Sequence, residues 1–316
     1  MTDRKTIAIM GSTGAQGGGL ARAILGDKDS AFAVRAITRD PGSAKAAELA
    51  ELGADVVGAD LDDADSVKRA LDGAYGAYCV TFFWAHMSPD TEKAHARVLA
   101  ESAKAAGVEH AIWSTFEDTR DLVPLNDDRM PTLQGRYKVP HFDAKAEANA
   151  YFTDVAVPVT FLLTSWYFDN LIYFGAGPQR DQNGKLAFTM PMGNKKLPGI
   201  AAADIGGCAY GIFKRGKEFI SKTVGVASEH LTGAQLAASM TRALGEEVYY
   251  NDVPPDVYRS FGFPGAEDIG NMFQYKKEFE AEYCGNRNLA QSRALNPAMQ
   301  TFDQWLAANA SLIPIK

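Results

Sequence analysis

The sequence predicts an α/β protein, a doubly wound parallel sheet with a smaller C-terminal α+β lobe, and three observations carry the prediction. Short apolar runs alternate with helical patterns through the first half of the chain, and several of those helices stop at a glycine. A glycine-rich turn joins the first run to the first helix. After about residue 165 the alternation gives way to aromatic, Gly- and Pro-containing sequence and then to further helices and short strands. Strands separated by helices predict parallel pairing, helices on both faces and ligands at the carboxyl ends of the strands.

In chain order, residues 6–10 form the first strand and run into Gly11-Ser12-Thr13-Gly14-Ala15-Gln16-Gly17. Leu20, Ala21, Ala23, Ile24 and Leu25 then supply a helical apolar face, and residues 32–38 a second strand. An alanine-rich helix over 44–52 ends at Gly53, a third strand spans 55–60, and a helix over 65–71 stops at Gly73. The fourth strand is 77–81, a long helix over 91–106 ends at Gly107, and the fifth strand is 110–115. Between 116 and 140 no period survives among Pro124, Pro131 and Pro140, which marks a loop near the site. Residues 141–152 read as one helix and 158–163 as a sixth strand.

Residues 165–199 read as a segment that covers a substrate rather than a core layer. One more strand follows at 222–227, the capping box Thr232-Gly-Ala-Gln235 opens a helix ending at Gly245, and 247–251 is a short strand. The expected division is therefore 1–165 with roughly 200–230 in the sheet domain, and roughly 166–199 with 231–316 in the smaller lobe.

With 46% apolar and 22% charged residues, 316 residues can bury a large core, which excludes general disorder. A net charge of −7 gives no electrostatic footprint for nucleic acid or an anionic membrane. Cys79, Cys208 and Cys284 lack ligand or disulfide spacing, so neither a metal site nor a disulfide framework is expected. No stretch reaches about 18 uninterrupted apolar residues and the chain enters its first strand without a cleavable apolar segment, so the expected location is cytoplasmic, away from the membrane.

Gly11, Gly14 and Gly17 are spaced G-x-x-G-x-x-G. Glycine permits φ > 0 in such a turn and lets backbone N–H groups approach a pyrophosphate seated on the positive end of the next helix; an ordinary tight turn without ligand is the rival reading. Ser12 and Thr13 add hydroxyl donors. At the end of the second strand, Arg39 suits a 2′-phosphate and hence NADP over NAD, against the alternative of a solvated strand end, with Asp40 beside it as a counter-signal. Asp60 and Leu61 either meet the adenine or belong to a helix cap. Thr81, Phe82 and Phe83 either wall the cofactor or pack in the core.

Taken with Gly11 to Gly17, Thr38-Arg39, Asp60, Val80-Thr81 and His141-Phe-Asp-Ala-Lys145, the later series Tyr167-Phe-Asp-Asn170, Phe261-Gly-Phe-Pro264, Asn271-Met-Phe273 and Asp303-Gln-Trp305 resembles the NmrA-like family of atypical short-chain dehydrogenases, in its redox-sensor branch. The resemblance runs over nearly the whole chain. It implies a Rossmann domain binding NADP(H), with Gly11, Ser12, Thr13, Gly14, Ala15, Gln16 and Gly17 at the pyrophosphate, Arg39 at the 2′-phosphate, Asp60 and Leu61 at the adenine, and Thr81, Phe82 and Phe83 along its middle. Lys145 would reach the nicotinamide ribose, and Tyr167, Phe168 and Asn170 would lie along the nicotinamide.

Ordinary short-chain dehydrogenases use Tyr-x-x-x-Lys, in which lysine favours the phenolate; here His141 stands in the tyrosine's place before Lys145. One helix face would carry both. Tyr137 is an alternative proton donor, although Pro140 interrupts a common helix. Ser114 and Thr115 end the fifth strand where the superfamily keeps a polarising serine. Two functions stay open: an NADP(H) sensor read by a partner protein, which the missing tyrosine favours, and an NADPH-dependent reductase of a small aromatic quinone, imine or carbonyl substrate. A scaffold with a vestigial dinucleotide site is a third. The resemblance also suggests a homodimer.

Overall fold

The computed structural model describes residues 4–315. In chain order the first half comprises β1 (Lys5–Met10), α1 (Ala15–Gly26), β2 (Phe32–Thr38), α2 (Ala44–Glu51), β3 (Asp55–Gly58), α3 (Ala64–Leu71), β4 (Gly76–Cys79), α4 (Pro89–Ala105), β5 (His110–Thr115), α5 (Pro140–Glu147), α6 (Asn149–Asp154) and β6 (Val159–Leu163). The second half comprises β7 (Trp166–Tyr167), α7 (Asn170–Tyr173), β8 (Gln179–Arg180), β9 (Leu186–Met190), β10 (Lys196–Ile200), α8 (Ala202–Arg215), β11 (Thr223–Gly225), β12 (Glu229–Thr232), α9 (Gly233–Leu244), β13 (Val248–Asp252), α10 (Pro255–Arg259), α11 (Ala266–Glu278), α12 (Glu280–Gly285), α13 (Leu289–Leu295) and α14 (Phe302–Asn309).

Seven parallel strands form one sheet in the order β11-β6-β5-β4-β1-β2-β3. The winding reverses between β1 and β4, so a crevice opens at the carboxyl ends of those two strands. One face of the sheet is covered by α1 and α8, whose Leu20, Ile24, Ile205, Ile212 and Phe213 pack with Ile7, Ile9 and Val34. These helices approach backbone to backbone: a Cβ on Gly206 would lie 2.0 Å from the Leu20 nitrogen. The other face is covered by α3, α4 and α6 through Val67, Leu71, Leu99 and Phe152 against Trp113.

Two three-stranded sheets, β12-β10-β7 and β13-β9-β8, accompany the large one. Here the expectation for residues 165–199 is corrected. Trp166, Phe168, Leu186, Phe188, Met190 and Leu197 from that segment are buried together with Phe302 and Trp305, so most of it is a core layer. It faces the open cleft at Ser165, Trp166 and Tyr167 and again around α7, where Tyr173 and Phe174 are exposed. A second correction concerns 141–152, which is not one helix: α5 ends at Glu147, and α6 starts after Ala148. The capping box at Thr232 and Gln235 is formed in full, and α9 ends on Gly245 at φ 71°. Among the described residues no helix is long and apolar enough to cross a membrane.

Candidate functional site

The crevice continues into a cavity of about 1130 Å³ that runs from the glycine turn, past β4 and α5, to α10 and α11. That lies just above the ~300–1,000 Å³ of ordinary small-ligand pockets.

At one end, Gly11 has φ 64° and the N-terminus of α1 carries neither a side-chain cap nor an acidic residue in its first turn. A Cβ on Gly17 would lie 2.5 Å from the Gly11 carbonyl oxygen, so only glycine lets the helix start this close to the strand. Gly11, Thr13, Ala15, Gln16 and Gly17 line the cavity. Ser12 does not. It is fully buried and its hydroxyl donates to the Ile37 carbonyl at 3.0 Å, so the expectation of a phosphate donor there is corrected: the group is used in tying β1 to β2. Gly14, the N-cap of α1, is exposed without lining the cavity wall.

Arg39 is exposed on the rim with Ser43 and Lys45. The carboxylate of Asp40 is turned to its own loop, accepting the Gly42 N–H at 3.0 Å. Asp60 and Leu61 line the cavity as well. The cap of α3 is Asp63, which accepts the Ser66 N–H at 3.1 Å, while Asp60 Oδ1 accepts the Asp62 N–H at 3.1 Å.

The middle of the cavity holds two polar clusters. Gln16 is the hub of the first: its Nε2 donates to the Tyr167 hydroxyl at 2.6 Å, and its Oε1 accepts from Ser114 Oγ at 2.9 Å and from the Tyr78 hydroxyl. Burial pushes the Tyr167 phenol up to about 12, so it stays protonated. In the second cluster Lys145 Nζ donates to Thr81 Oγ1 at 2.6 Å and lies 2.6 Å from Glu92 Oε1, with Thr81 also donating to Glu92. Burial alone would push the Glu92 carboxyl up; Lys145 beside it, with hydrogen bonds from its neighbours, holds it well below the usual carboxylate range. Thr115 is buried and absent from the wall, its hydroxyl donating to the Lys145 carbonyl at 3.0 Å, which fixes α5 against β5.

One turn before Lys145, His141 faces the same cavity. Its Nδ1 lies 2.6 Å from Asp268 Oδ1 and its backbone N–H donates to Asp268 Oδ2 at 3.2 Å. The carboxylate thus accepts a hydrogen bond from Nδ1–H and leaves Nε2 as the ring nitrogen available to a ligand. Trp84 packs at 4.8 Å and Phe116 at 6.0 Å from the imidazole centre. Tyr137, the alternative donor, is absent from the wall: Pro140 begins α5, and the Tyr137 hydroxyl is held at 3.1 Å by Lys93. Phe168 is also absent, packed 4.8 Å from Phe302 in the core, whereas Tyr167 and Asn170 line the cavity. Phe83 is buried and Phe82 exposed at the mouth, where it meets Phe174 at 6.5 Å.

Sequence reasoning missed Tyr78, Glu92, Asp268 and Lys276. The last lies at the far end of the cavity with Phe142, Met272 and Phe273. Its signal was available: Ile269, Met272, Phe273 and Lys276 share one helical stripe, so the lysine holds an apolar position.

A glycine-turned crevice at the switch point of a parallel sheet, continued by a cavity under a second lobe, defines a dinucleotide-type α/β protein. The chain belongs to the NmrA-like family, which it matches over residues 3–306. It is 26% identical to the NmrA-like family domain-containing oxidoreductase ptmS of Penicillium ochrochloron, covering 96% of this chain and 97% of that one. Among solved structures it resembles NmrA, a negative transcriptional regulator, in complex with NADP (TM-score 0.75, 22% identity, covering 97% and 95% of the two chains). It also resembles the Citrobacter sp. triphenylmethane reductase complexed with NADP(H) (TM-score 0.73, 18% identity, covering 96% and 99%).

Proposed function

We propose that the protein is an NADP(H)-dependent reductase of a ring-bearing quinone, imine or carbonyl substrate. The observation that carries this reading is the His141–Asp268 pair, one helical turn from Lys145, facing a single cavity between the glycine turn and an aromatic chamber. A histidine held through one ring nitrogen by a carboxylate, with the other ring nitrogen open to a cavity, is a proton-transfer arrangement, and a purely structural histidine has no need of cavity access.

The residues present fit the dinucleotide. The glycine cradle admits backbone approach to phosphate, α1 presents an uncapped positive end, and Arg39 with Lys45 supplies cations at the rim for a 2′-phosphate. When bound, the nicotinamide supplies a hydride. Lys145, fixed by Thr81 and Glu92, would hold its ribose, and the Gln16 hub fixes Ser114 and Tyr167 on the cavity wall. His141 acts from its imidazolium form: Nε2 gives its proton to the substrate heteroatom, and the ring is left neutral with Nδ1–H still held by Asp268. The aromatic wall of Trp84, Phe116, Tyr258 and Phe273 excludes water and receives the ring system. In this reading the sheet domain of 1–165 with roughly 200–230 holds the cofactor, and the smaller lobe supplies the chamber.

The test is transfer of deuterium from NADPH labelled on its transferable hydrogen to quinones, imines and carbonyls, read by mass spectrometry. Transfer lost in Lys145→Ala and slowed in His141→Ala supports the reading. Tight NADPH binding with no transfer favours the second reading, a sensor whose NADP(H) occupancy is read by a protein partner or a second copy of the chain. The observation behind that alternative is the exposed aromatic mouth, with Tyr173 73%, Phe174 58% and Phe82 55% exposed.

A further inference from the structure

The chamber beyond His141 is apolar apart from one group. Lys276 is 2% exposed and lines the cavity, yet the hydrogen-bond acceptor its ammonium reaches is the Met272 sulfur at 3.2 Å. Aromatic rings surround it: Tyr283 at 5.1 Å, Phe142 at 5.4 Å and Phe273 at 5.7 Å from Nζ. The charged groups that act on it, Glu117 and Arg287, are already paired with each other at 2.5 Å. The Tyr283 hydroxyl makes no hydrogen bond.

A buried ammonium with three donors and one weak acceptor is an unfavourable arrangement unless something else supplies the missing oxygen. Neighbouring side chains do not. The cavity is the open direction, and a ligand is what enters it. We propose that Lys276 is the anion anchor of the substrate chamber, and that the substrate is a ring-bearing molecule whose carboxylate, or another anionic oxygen, docks on its ammonium. The proposal rests on the reductase reading and names the substrate class for it.

Charge, rather than a neutral carbonyl, follows from the surroundings. In an apolar chamber an ion pair gains far more than a neutral hydrogen bond, and the aromatic rings favour a cation at Nζ without neutralising it. Burial pushes the amine down to about 7, so an arriving anion also draws a proton onto it. Asp268 and Lys276 lie eight residues apart on α11, about 12 Å along its axis. The anionic oxygen and the bond reduced beside His141 are therefore at different ends of the molecule, and the ring system spans between them.

The experiment titrates benzoate, 2-naphthoate and anthracene-9-carboxylate, each against its neutral amide, into the NADPH-loaded and the free protein by calorimetry. The expected result is at least one pair in which the carboxylate binds tenfold or more tightly than the amide, with proton uptake at pH 8 shown by the dependence of the heat on buffer ionisation. Lys276→Met should bring that pair within twofold and abolish the uptake while leaving NADPH affinity within twofold. Lys276→Gln, which keeps a polar group, should do the same and serves if the methionine variant does not fold. Equal binding of every pair by the wild-type protein, no binding of any, or a preference that survives both variants overturns the proposal. Failure of the reductase reading is separate: it shows as absent nicotinamide binding in the same titrations, or absent deuterium transfer, whatever the carboxylates do.

Discussion

Replacing Lys276 by methionine should stabilise the protein, and the gain should fade as pH rises. The ordinary lysine value of 10.5 holds in the unfolded chain, whereas burial, aided by Arg287, brings the native group down to about 7. Between those values the unfolded chain holds the proton that the native chain has released, so native stability rises with pH across that window. The penalty is present in full below about pH 7 and is gone above about 10.5. At about 1.36 kcal/mol per pH unit the whole window is worth ~5 kcal/mol, and the stretch from pH 7 to 9 about 2 kcal/mol. Because Lys276 is 2% exposed, solvent screening removes little of this.

Methionine keeps the length and apolar stem of the side chain, loses the ammonium, and does not titrate. Loss of the contacts to the Phe142, Phe273 and Tyr283 rings subtracts from its advantage at every pH alike. The offset between the two proteins is therefore less informative than its slope. Urea unfolding of both at pH 7, 8 and 9 should show the difference shrinking by about 2 kcal/mol with unchanged denaturant dependence. Carboxylates and other lysines titrate in both proteins and cancel. A difference constant to within ~0.5 kcal/mol over that range would refute the reasoning, because the ammonium would then be solvated or paired.

Gly17→Ala places a Cβ 2.5 Å from the Gly11 carbonyl oxygen, so the cradle must open; NADPH affinity should fall at least tenfold, as followed by nicotinamide fluorescence. Arg39→Ala should weaken NADPH by about tenfold or more and leave NADH almost unchanged, since a charge-assisted hydrogen bond of about 1.5–3 kcal/mol is lost only to the 2′-phosphate. In Glu92→Gln the Lys145 ammonium keeps its buried site without its carboxylate partner, which should cost about 3–5 kcal/mol in urea unfolding; pairing Glu92→Leu with Lys145→Met should recover most of it. Asp268→Asn should lower kcat at least tenfold with NADPH affinity within twofold, because the asparagine amide can turn its N–H toward Nδ1 and hold the His141 ring in the wrong tautomer.

How far the sequence could be read depended on the distance over which each signal acts. The parallel sheet was legible because its evidence is local: buried strands bounded by turns, and helices ending on Gly53, Gly73 and Gly107, all three with positive φ. The core role of residues 165–199 was not. Its strands run from two to five residues, and β9 has both faces buried except at Thr189, so neither length nor alternation separates it from a loop. Ser12 was misread for a related reason, since a hydroxyl beside glycines suits a phosphate and a neighbouring strand's carbonyl equally well.

In the candidate site the helix spacing of His141 and Lys145 was readable, while their partners were not. Glu92 reaches Lys145 from 53 positions away and Asp268 reaches His141 from 127, and no local period encodes such pairings. Lys276 is the intermediate case. Its position three and four residues after Phe273 and Met272 marks it as part of a buried stripe, where a charge is expensive to keep. A lysine whose stem merely covered apolar surface would have carried its ammonium out to water, as long side chains do on exposed helices. Here the helix turns that face inward over the cavity, so the ammonium stays at the bottom of it, and a partner for that charge must come from what the cavity admits.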